Sequence, residues 1–363
     1  MSGTNTIRLL DAYNQEAAPT MFLSGLFGSP QRNFHQSEEV EIDIVRTDEE
    51  IAVVITNVAT GPRYNSKNLY TNKNFKPPVF DEAIALDSIE LLKRMPGKNP
   101  FEDPNWRADI IAMLMNGMQD IERKIRRTIE LQSAQVLQTG TIDLKNAAGT
   151  TLYTIDYKPK ATHFPTAGTA WNAAGAAPIS DLNALANVVR NDGLSNPDQI
   201  IMGEGSFEQF VSNDDVKSRL DTRRIDLGTI APVQMRGDGG QYRGTVELGT
   251  YKLDIWTYGG RHLEADGSTK SKYIADDKVI MRASGGRMDL TFGAVPNIGR
   301  ALGLMPVMLP EMPERFTNAQ GGMDMFTNVY LSQNGKQMFG EVSARPLAIP
   351  TAIDTYGCLD TGI

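Results

Sequence analysis

The sequence predicts an α+β fold. Three observations carry that expectation: an uninterrupted helical signal from Pro104 to Thr139, a mixed run of strand and helix signals over 178–285, and strand signals alone after 286. Helices and strands that come in blocks, without a regular β–α alternation along the whole chain, are the pattern of that class.

Residues 1–35 have the composition of an arm. Leu9-Leu10 and the segment MFLSGLFG at 21–28 are short apolar patches among polar residues, with Pro19 and Pro30 as punctuation. Such a segment is expected to pack on a neighbour or stay mobile. Residues 36–98 form an extended excursion. EEVEIDIV (39–46) alternates apolar and charged residues, EIAVVIT (50–56) is β-branched, and TDEE lies between them as a turn, so a hairpin is expected. Its charge is segregated: residues 36–60 hold seven acids against Arg46, whereas 61–80 hold only Arg63, Lys67, Lys73 and Lys76. Blocks of opposite sign can be solvated faces, or they can set register against complementary blocks on other subunits. The Pro77-Pro78 pair cannot sit inside a sheet, which makes NFKPPVF an edge or an extended crossing.

The helix follows, with Asp103 as N-cap, Pro104 in the first position and Gly140 as the left-handed residue beyond its end. Its length is roughly 54 Å at about 1.5 Å per residue. Ile110, Leu114, Met118, Ile121, Ile125 and Ile129 form one apolar stripe. Asp109, Asn116, Asp120, Arg123, Arg127 and Glu130 form the opposite one. The four-residue steps drift from a strict heptad, so a helix lying on a sheet fits better than a coiled coil. Gly117 beside the stripe marks a close backbone approach.

Strand signals at 151–157 lead into TAGTAWNAAGAA (166–177), the clearest domain boundary. Residues 178–285 then show an Asp181-led helix, a strand at 198–202, the helix SFEQFVSND, a Gly-rich loop at 236–244, and strands at 245–258 and 273–283. Residues 286–363 hold DLTFGAV, MFTNVYLSQ and MFGEVSARPLAI, too short for a domain of their own. They are expected to return to the sheet beneath the helix.

The 363 residues suffice for about two domains. A net charge of -8 argues against nucleic-acid binding by the protein as a whole, because affinity there comes mainly from phosphate neutralisation. One cysteine, Cys358, excludes a disulfide within the chain and fits a reducing compartment such as a cytoplasm. The N-terminus lacks the apolar core of a signal peptide, and no run is long enough to span a bilayer.

Signals of chemistry are weak. GEG at 203–205 lacks the third glycine of a dinucleotide turn and carries Glu204, which would repel a pyrophosphate, so a tight strand-to-helix turn is the simpler account. RGD at 236–238 sits in a glycine-rich loop. The pairs Asp214-Asp215 and Asp276-Asp277 lack the interval spacing of a calcium loop. His35, His163 and His262 are isolated, so no HExxH pair exists. Cys358 lies in the C-terminal tail with no histidine near it in sequence. No catalytic, cofactor or metal residue is assigned.

Five segments carry a family resemblance: FKPPVF (75–80), NPFEDPNWRADIIAMLMNGMQDIE (99–122), RLDTRR (219–224), YIADDKVIM with TFGAV (273–281, 291–295) and ARPLAIP (344–350). In that order they resemble the lambda-type major capsid protein E family of tailed bacteriophages, which has the Hong Kong 97 capsid fold. The resemblance implies an N-terminal arm (1–35), an E-loop (36–98), a P-domain (99–177) with a spine helix at 104–139, an A-domain (178–285) and P-domain return strands (286–363). It implies a shell protein that assembles with itself as hexamers and pentamers into an icosahedral capsid around double-stranded DNA. The helix begins too early to leave room for a fused scaffold, so a separate scaffolding protein is implied. A portal at one vertex and a decoration protein are further partners, with assembly in the host cytoplasm and no membrane. Arg63, Lys67, Lys73 and Lys76, with Asp221, Arg223 and Arg224, are the candidate subunit contacts. Nothing marks a cross-linking partner for the E-loop lysines. Arg123, Lys124, Arg126 and Arg127 either face packaged DNA or form a salt-bridged face. An encapsulin-like cellular shell and a nucleotide-dependent α/β enzyme built on the 198–210 turn are the alternatives.

Overall fold

The computed structural model describes residues 21–28, 40–44, 71–87, 106–146, 149–219, 239–264, 266–295, 325–332 and 334–363. Helix α1, Trp106–Thr139, is its longest element. Its 34 residues make a rod of about 51 Å. Its end is as expected: Gly140 has φ +71° and donates its N–H to Val136 O at 2.8 Å, closing the last turn. The capping pair Asp103-Pro104 lies outside the described residues.

The first half of α1 lies on a three-stranded antiparallel sheet of β3 (Phe80–Asp87), β14 (Gln337–Ala344) and β13 (Phe326–Leu331), in the order β13-β14-β3. Leu114, Met118 and Ile121 are buried there, and Ile125 and Ile129 continue the buried stripe into the second half. Gly117 makes the close approach expected of it: a Cβ at that position would collide with Ile84 of β3. Strands from opposite ends of the chain thus share one sheet under the helix.

A ribbon of β1 (Val40–Ile44) and β2 (Thr71–Phe75) projects from this body. Strand β1 pairs with 71–75, in the register Val40↔Phe75 to Ile44↔Thr71. Both Val40 and Phe75 are buried at the ribbon's base, and the Phe75 and Tyr157 rings lie 4.9 Å apart. The 50–56 strand and the TDEE turn lie outside the described residues. After β2 the chain crosses in extended form through Pro77 and Pro78, as their missing donors require. The buried Arg345 guanidinium fastens this crossing, donating to Pro77 O at 3.2 Å and to Ala294 O at 2.9 Å.

Beyond α1, β4 (Thr141–Lys145) and β5 (Thr151–Asp156) form a hairpin, and β12 (Asp289–Phe292) pairs with β15 (Pro346–Ile349). A second centre is a five-stranded sheet. Its order is β16 (Tyr356–Asp360), β11 (Lys278–Arg282), β6 (Gln199–Met202), β8 (Tyr251–Tyr258), β7 (Gly240–Leu248). Strands β6 and β8 run parallel and the other neighbours antiparallel. Residues 200–202 of β6 and 279–281 of β11 are apolar without alternation because both faces of the sheet are covered there. Ile201, Ile280, Tyr356 and Cys358 join the cluster around α1. Ile200, Met202, Val279, Met281 and Leu359 join a second cluster, under α2 (Pro178–Gly193) and α3 (Glu204–Ser212). The alternation follows the two-residue period of a strand.

Three sequence expectations change here. The end of the chain returns to α1 in more than one sheet: β13 and β14 join β3, and β16 is the edge strand of the five-stranded sheet, so Cys358 is a buried core residue and not part of a tail. Asp181 does not lead α2, which starts at Pro178 after Ala177; the Asp181 carboxylate instead accepts from Trp171 Nε1 at 3.0 Å. The Ala/Gly-rich boundary at 166–177 is tied to β16, with Ala167 N–H donating to Asp360 O at 2.7 Å and Trp171 N–H to Thr361 O at 3.1 Å.

Gly117→Leu should lower stability by about 1–3 kcal/mol through overpacking against Ile84. Denaturant unfolding measures this, and the Gly117→Leu/Ile84→Ala double variant should recover part of the loss.

Candidate functional site

The sequence contains no recognisable reaction centre, so its functional surfaces are those that hold α1, the arm and the neighbouring elements together or present charge outward. The most informative group is Glu130. The helical period places it opposite the apolar stripe, among solvated charges. The structure corrects this: Glu130 is fully buried, and its two carboxylate oxygens accept the backbone N–H groups of Leu23 at 2.7 Å and Ser24 at 2.8 Å. The arm segment 21–28 therefore packs on this chain's own core. A single 3₁₀ turn, Ser24–Leu26, with Phe22, Leu23 and Phe27 buried around it, forms the seat. Burial holds the Glu130 carboxyl above its ordinary range, while the hydroxyls of Ser24 and Tyr258 and the two N–H groups pull it down in part. Removing this acceptor would leave two buried donors unpaired, at about 1–3 kcal/mol each.

A sequence signal for Glu130 exists. From Thr128 to Leu137 it is the only charged residue, and in this stretch the stripe widens until Gln132, Ser133, Ala134, Val136 and Leu137 are all buried. A lone carboxylate in a charge-free stretch of helix is a buried group in search of donors.

The basic cluster on α1 is largely paired within the chain. Arg123 meets Asp120 at 3.3 Å, Lys124 meets Glu82 of β3 at 2.6 Å and Arg126 meets Glu122 at 2.9 Å. Exposed pairs of this kind contribute at most about 1 kcal/mol each, but they neutralise most of the patch. Arg127 lies near Tyr273, whose hydroxyl burial, reinforced by the neighbouring Glu130, pushes up to about 12. Lys76 is exposed just before the Pro77-Pro78 crossing, and Lys73 stands opposite Ile42 in the ribbon. Arg63, Lys67, Asp221, Arg223, Arg224 and the RGD loop lie outside the described residues.

The remaining motifs resolve into local structure. Gly203 turns β6 into α3, its missing Cβ leaving room for Ala275 O, and Glu204 is held by Lys272 at 2.5 Å. The same lysine meets Asp276 at 2.7 Å, and Lys278 meets Asp277 at 3.0 Å and Asp360 at 2.7 Å. Asp214 and Asp215 open the short helix α4, Asp214–Arg219. A cavity of about 350 Å³ lies beside them, lined by Trp171, Gly175 and Asn213, but the Asn213 side chain is already bonded to Ala176 O at 3.1 Å and Asp215 N at 3.0 Å. Buried His163 is held between Tyr356 O at 2.7 Å and Asp192 at 3.1 Å, tying the strand end to α2. His262 stacks on Tyr273, and burial lowers its pKa. Among the described residues no three His, Cys, Asp or Glu side chains gather as a metal site requires. No described helix is long and apolar enough to cross a membrane.

A long helix laid across two sheets, an extended ribbon and an arm seated under the helix make the architecture of the Hong Kong 97 shell fold. Solved structures support that fold. The capsid protein assigned to a prophage of Escherichia coli CFT073 matches with a TM-score of 0.58 at 16% identity, covering 80% of this chain and 79% of that one. The capsid protein of cyanophage A-1(L) matches with a TM-score of 0.51 at 10% identity, over 97% and 95%. The chain belongs to the phage major capsid protein E family, whose model matches residues 5–356. No curated relative matches the sequence. The protein is thus a structural component of a phage virion shell, and the family favours this over the encapsulin-like and enzymatic alternatives.

Burial pushes the Cys358 thiol up to about 12 from an ordinary value near 9. A raised folded-state value means its contribution to stability is complete below about pH 9 and is lost as the pH rises towards 12. At pH 8 a thiol reagent should label native protein only as fast as it unfolds, and denatured protein at once. Immediate labelling of the native state would contradict the buried position of β16.

Proposed function

We propose that this subunit gathers as hexamers and pentamers into an icosahedral shell around double-stranded DNA. Assembly takes place in the host cytoplasm with a separate scaffolding protein, a portal at one vertex and a decoration protein on the finished shell. The observation that supports this most is the mechanical design of α1. A 34-residue helix gripped by sheets along its length is a stiff beam, and a lattice needs a fixed spacing between contacts. Individually modest contacts then sum by multivalency.

In this proposal the arm (1–35) and E-loop (36–98) reach neighbours. The P-domain (99–177, with the returning strands after 286) carries the spine, and the A-domain (178–285, joined by β16) lies towards the capsomer axis. Residues 21–28 of the arm belong to the subunit core, which leaves the residues before them to reach out. Arg63, Lys67, Lys73 and Lys76, with Asp221, Arg223 and Arg224, are the proposed subunit contacts, because segregated charge sets register and arginine suits bidentate pairing with carboxylates. Contact with DNA through Arg123, Lys124, Arg126 and Arg127 is weak and non-specific, since three of the four already have carboxylate partners.

Electron microscopy of the protein expressed with its scaffold should show shells of uniform diameter. Arg223→Glu/Arg224→Glu should reduce their yield and heat stability, whereas wild-type yield would remove that pair from the interface. Lys124→Glu/Arg127→Glu should shorten the DNA retained in particles without blocking empty shells, as read by gel sizing of the packaged genome. Full-length DNA would place the cluster away from the genome.

A further inference from the structure

The segment 21–28 touches three separate parts of the fold. Its backbone is caught by Glu130 of α1. Phe22 lies against Trp256 and Tyr258 of β8, with ring centroids 5.7 and 5.4 Å away, and fills the space that a Cβ on Gly240 of β7 would occupy. Gly28 donates its N–H to Met288 O at 2.6 Å and bridges Asp289 at the start of β12. The segment is a wedge between the helix and the β7–β8 edge of the five-stranded sheet. The sheet's opposite edge is fastened without it: Tyr356 of β16 donates its hydroxyl to Val136 O at 3.3 Å, and next to β11 Gln138 bonds to Tyr273 O at 2.8 Å and Ala275 N at 3.1 Å.

We propose that residues 21–28 are a two-position latch, caught by the Glu130 carboxylate, which couples the seating of the arm to the docking of the β7–β8 edge against α1. The chemistry of the catch makes it all-or-none. Two adjacent N–H groups match the two oxygens of one carboxylate with the Ser24 hydroxyl beside them, and a slip of one residue would take that hydroxyl away from a buried carboxylate. An apolar seat alone would tolerate such a slip, because dispersion contacts are not directional. Phe22 and Glu130 therefore have separate tasks: the ring fills the gap at the sheet edge, and the carboxylate fixes which residue fills it. When the latch opens, the β7–β8 edge loses its packing on Phe22 and keeps the bond from the Tyr258 hydroxyl to Glu130, while the β16–β11 edge keeps its own bonds.

Hydrogen exchange by mass spectrometry on the unassembled subunit tests this independently of whether shells form. Glu130→Ala should raise exchange at least tenfold over 21–28 and, together with it, over 240–258, where it also removes the partner of the Tyr258 hydroxyl, while 178–193 keeps wild-type protection. Glu130→Gln, which retains one acceptor oxygen, should fall between the two. Phe22→Ala probes the same coupling with the carboxylate intact and serves if Glu130→Ala fails to fold. It too should raise exchange in both segments. Protection of 21–28 in Glu130→Ala would overturn the catch. A released arm with an unchanged 240–258 segment, in either variant, would overturn the coupling.

Discussion

The structure depends on how the burial of α1 changes along its length. Over its first half the helix has one apolar stripe and needs one partner, the sheet of β3, β14 and β13. Over its last third nearly every side chain is enclosed, so the chain must supply cover on several sides at once. That cover comes from distant places: the arm segment 21–28, one face of the five-stranded sheet, and strand β15. A helix in this situation makes its neighbours converge, since each buries apolar surface only if the others also arrive. Burial at about 25 cal/mol per Å² is non-directional and cannot alone choose a register. The directional bonds of Glu130, Gln138 and Tyr356 make that choice.

Polar groups inside this core work as joints. Glu130 joins the arm to the helix, Arg345 joins the Pro77 crossing to the segment after β12, and His163 joins the 160s loop to β16 and α2. Each bonds backbone groups far away in sequence. A buried polar group left without its partner costs more than the bond contributes when made, so each joint favours one arrangement of distant segments over near alternatives. This suits a subunit that must present the same outline in every copy of a shell. Charges on the outer face of α1 are weaker joints: two of these pairs lie within one turn of the helix, the third ties Lys124 to Glu82 of β3, and all three are open to solvent.

Much of this was legible in the sequence. The helix and its Gly140 end followed from local capping chemistry, the apolar stripe from the 3.6-residue period, and Gly117 from its place beside that stripe. The family followed from five ordered segments whose resemblance the family match upholds. The strands at 198–202 and within 273–283 were legible as strands, although that both their faces are covered, and by which helix, could not be read from them. Strand β1 was legible in EEVEIDIV, but its pairing with 71–75 was not, because Val40 and Phe75, which meet at the base of the ribbon, are distant in sequence.

What the sequence determined by itself is local. Periodicity, caps, prolines and glycines act within a few residues and fix where helices and strands begin, end and turn. The tertiary structure decided which distant segments meet: β16 beside β11, β3 beside β14, and the arm beneath Glu130. The reason is physical. A stripe or a strand edge states that it must be covered or paired, but every apolar surface satisfies the first demand and every open edge the second. Only when all the elements compete for the same limited space around α1 does one set of partners leave no buried charge without its donors.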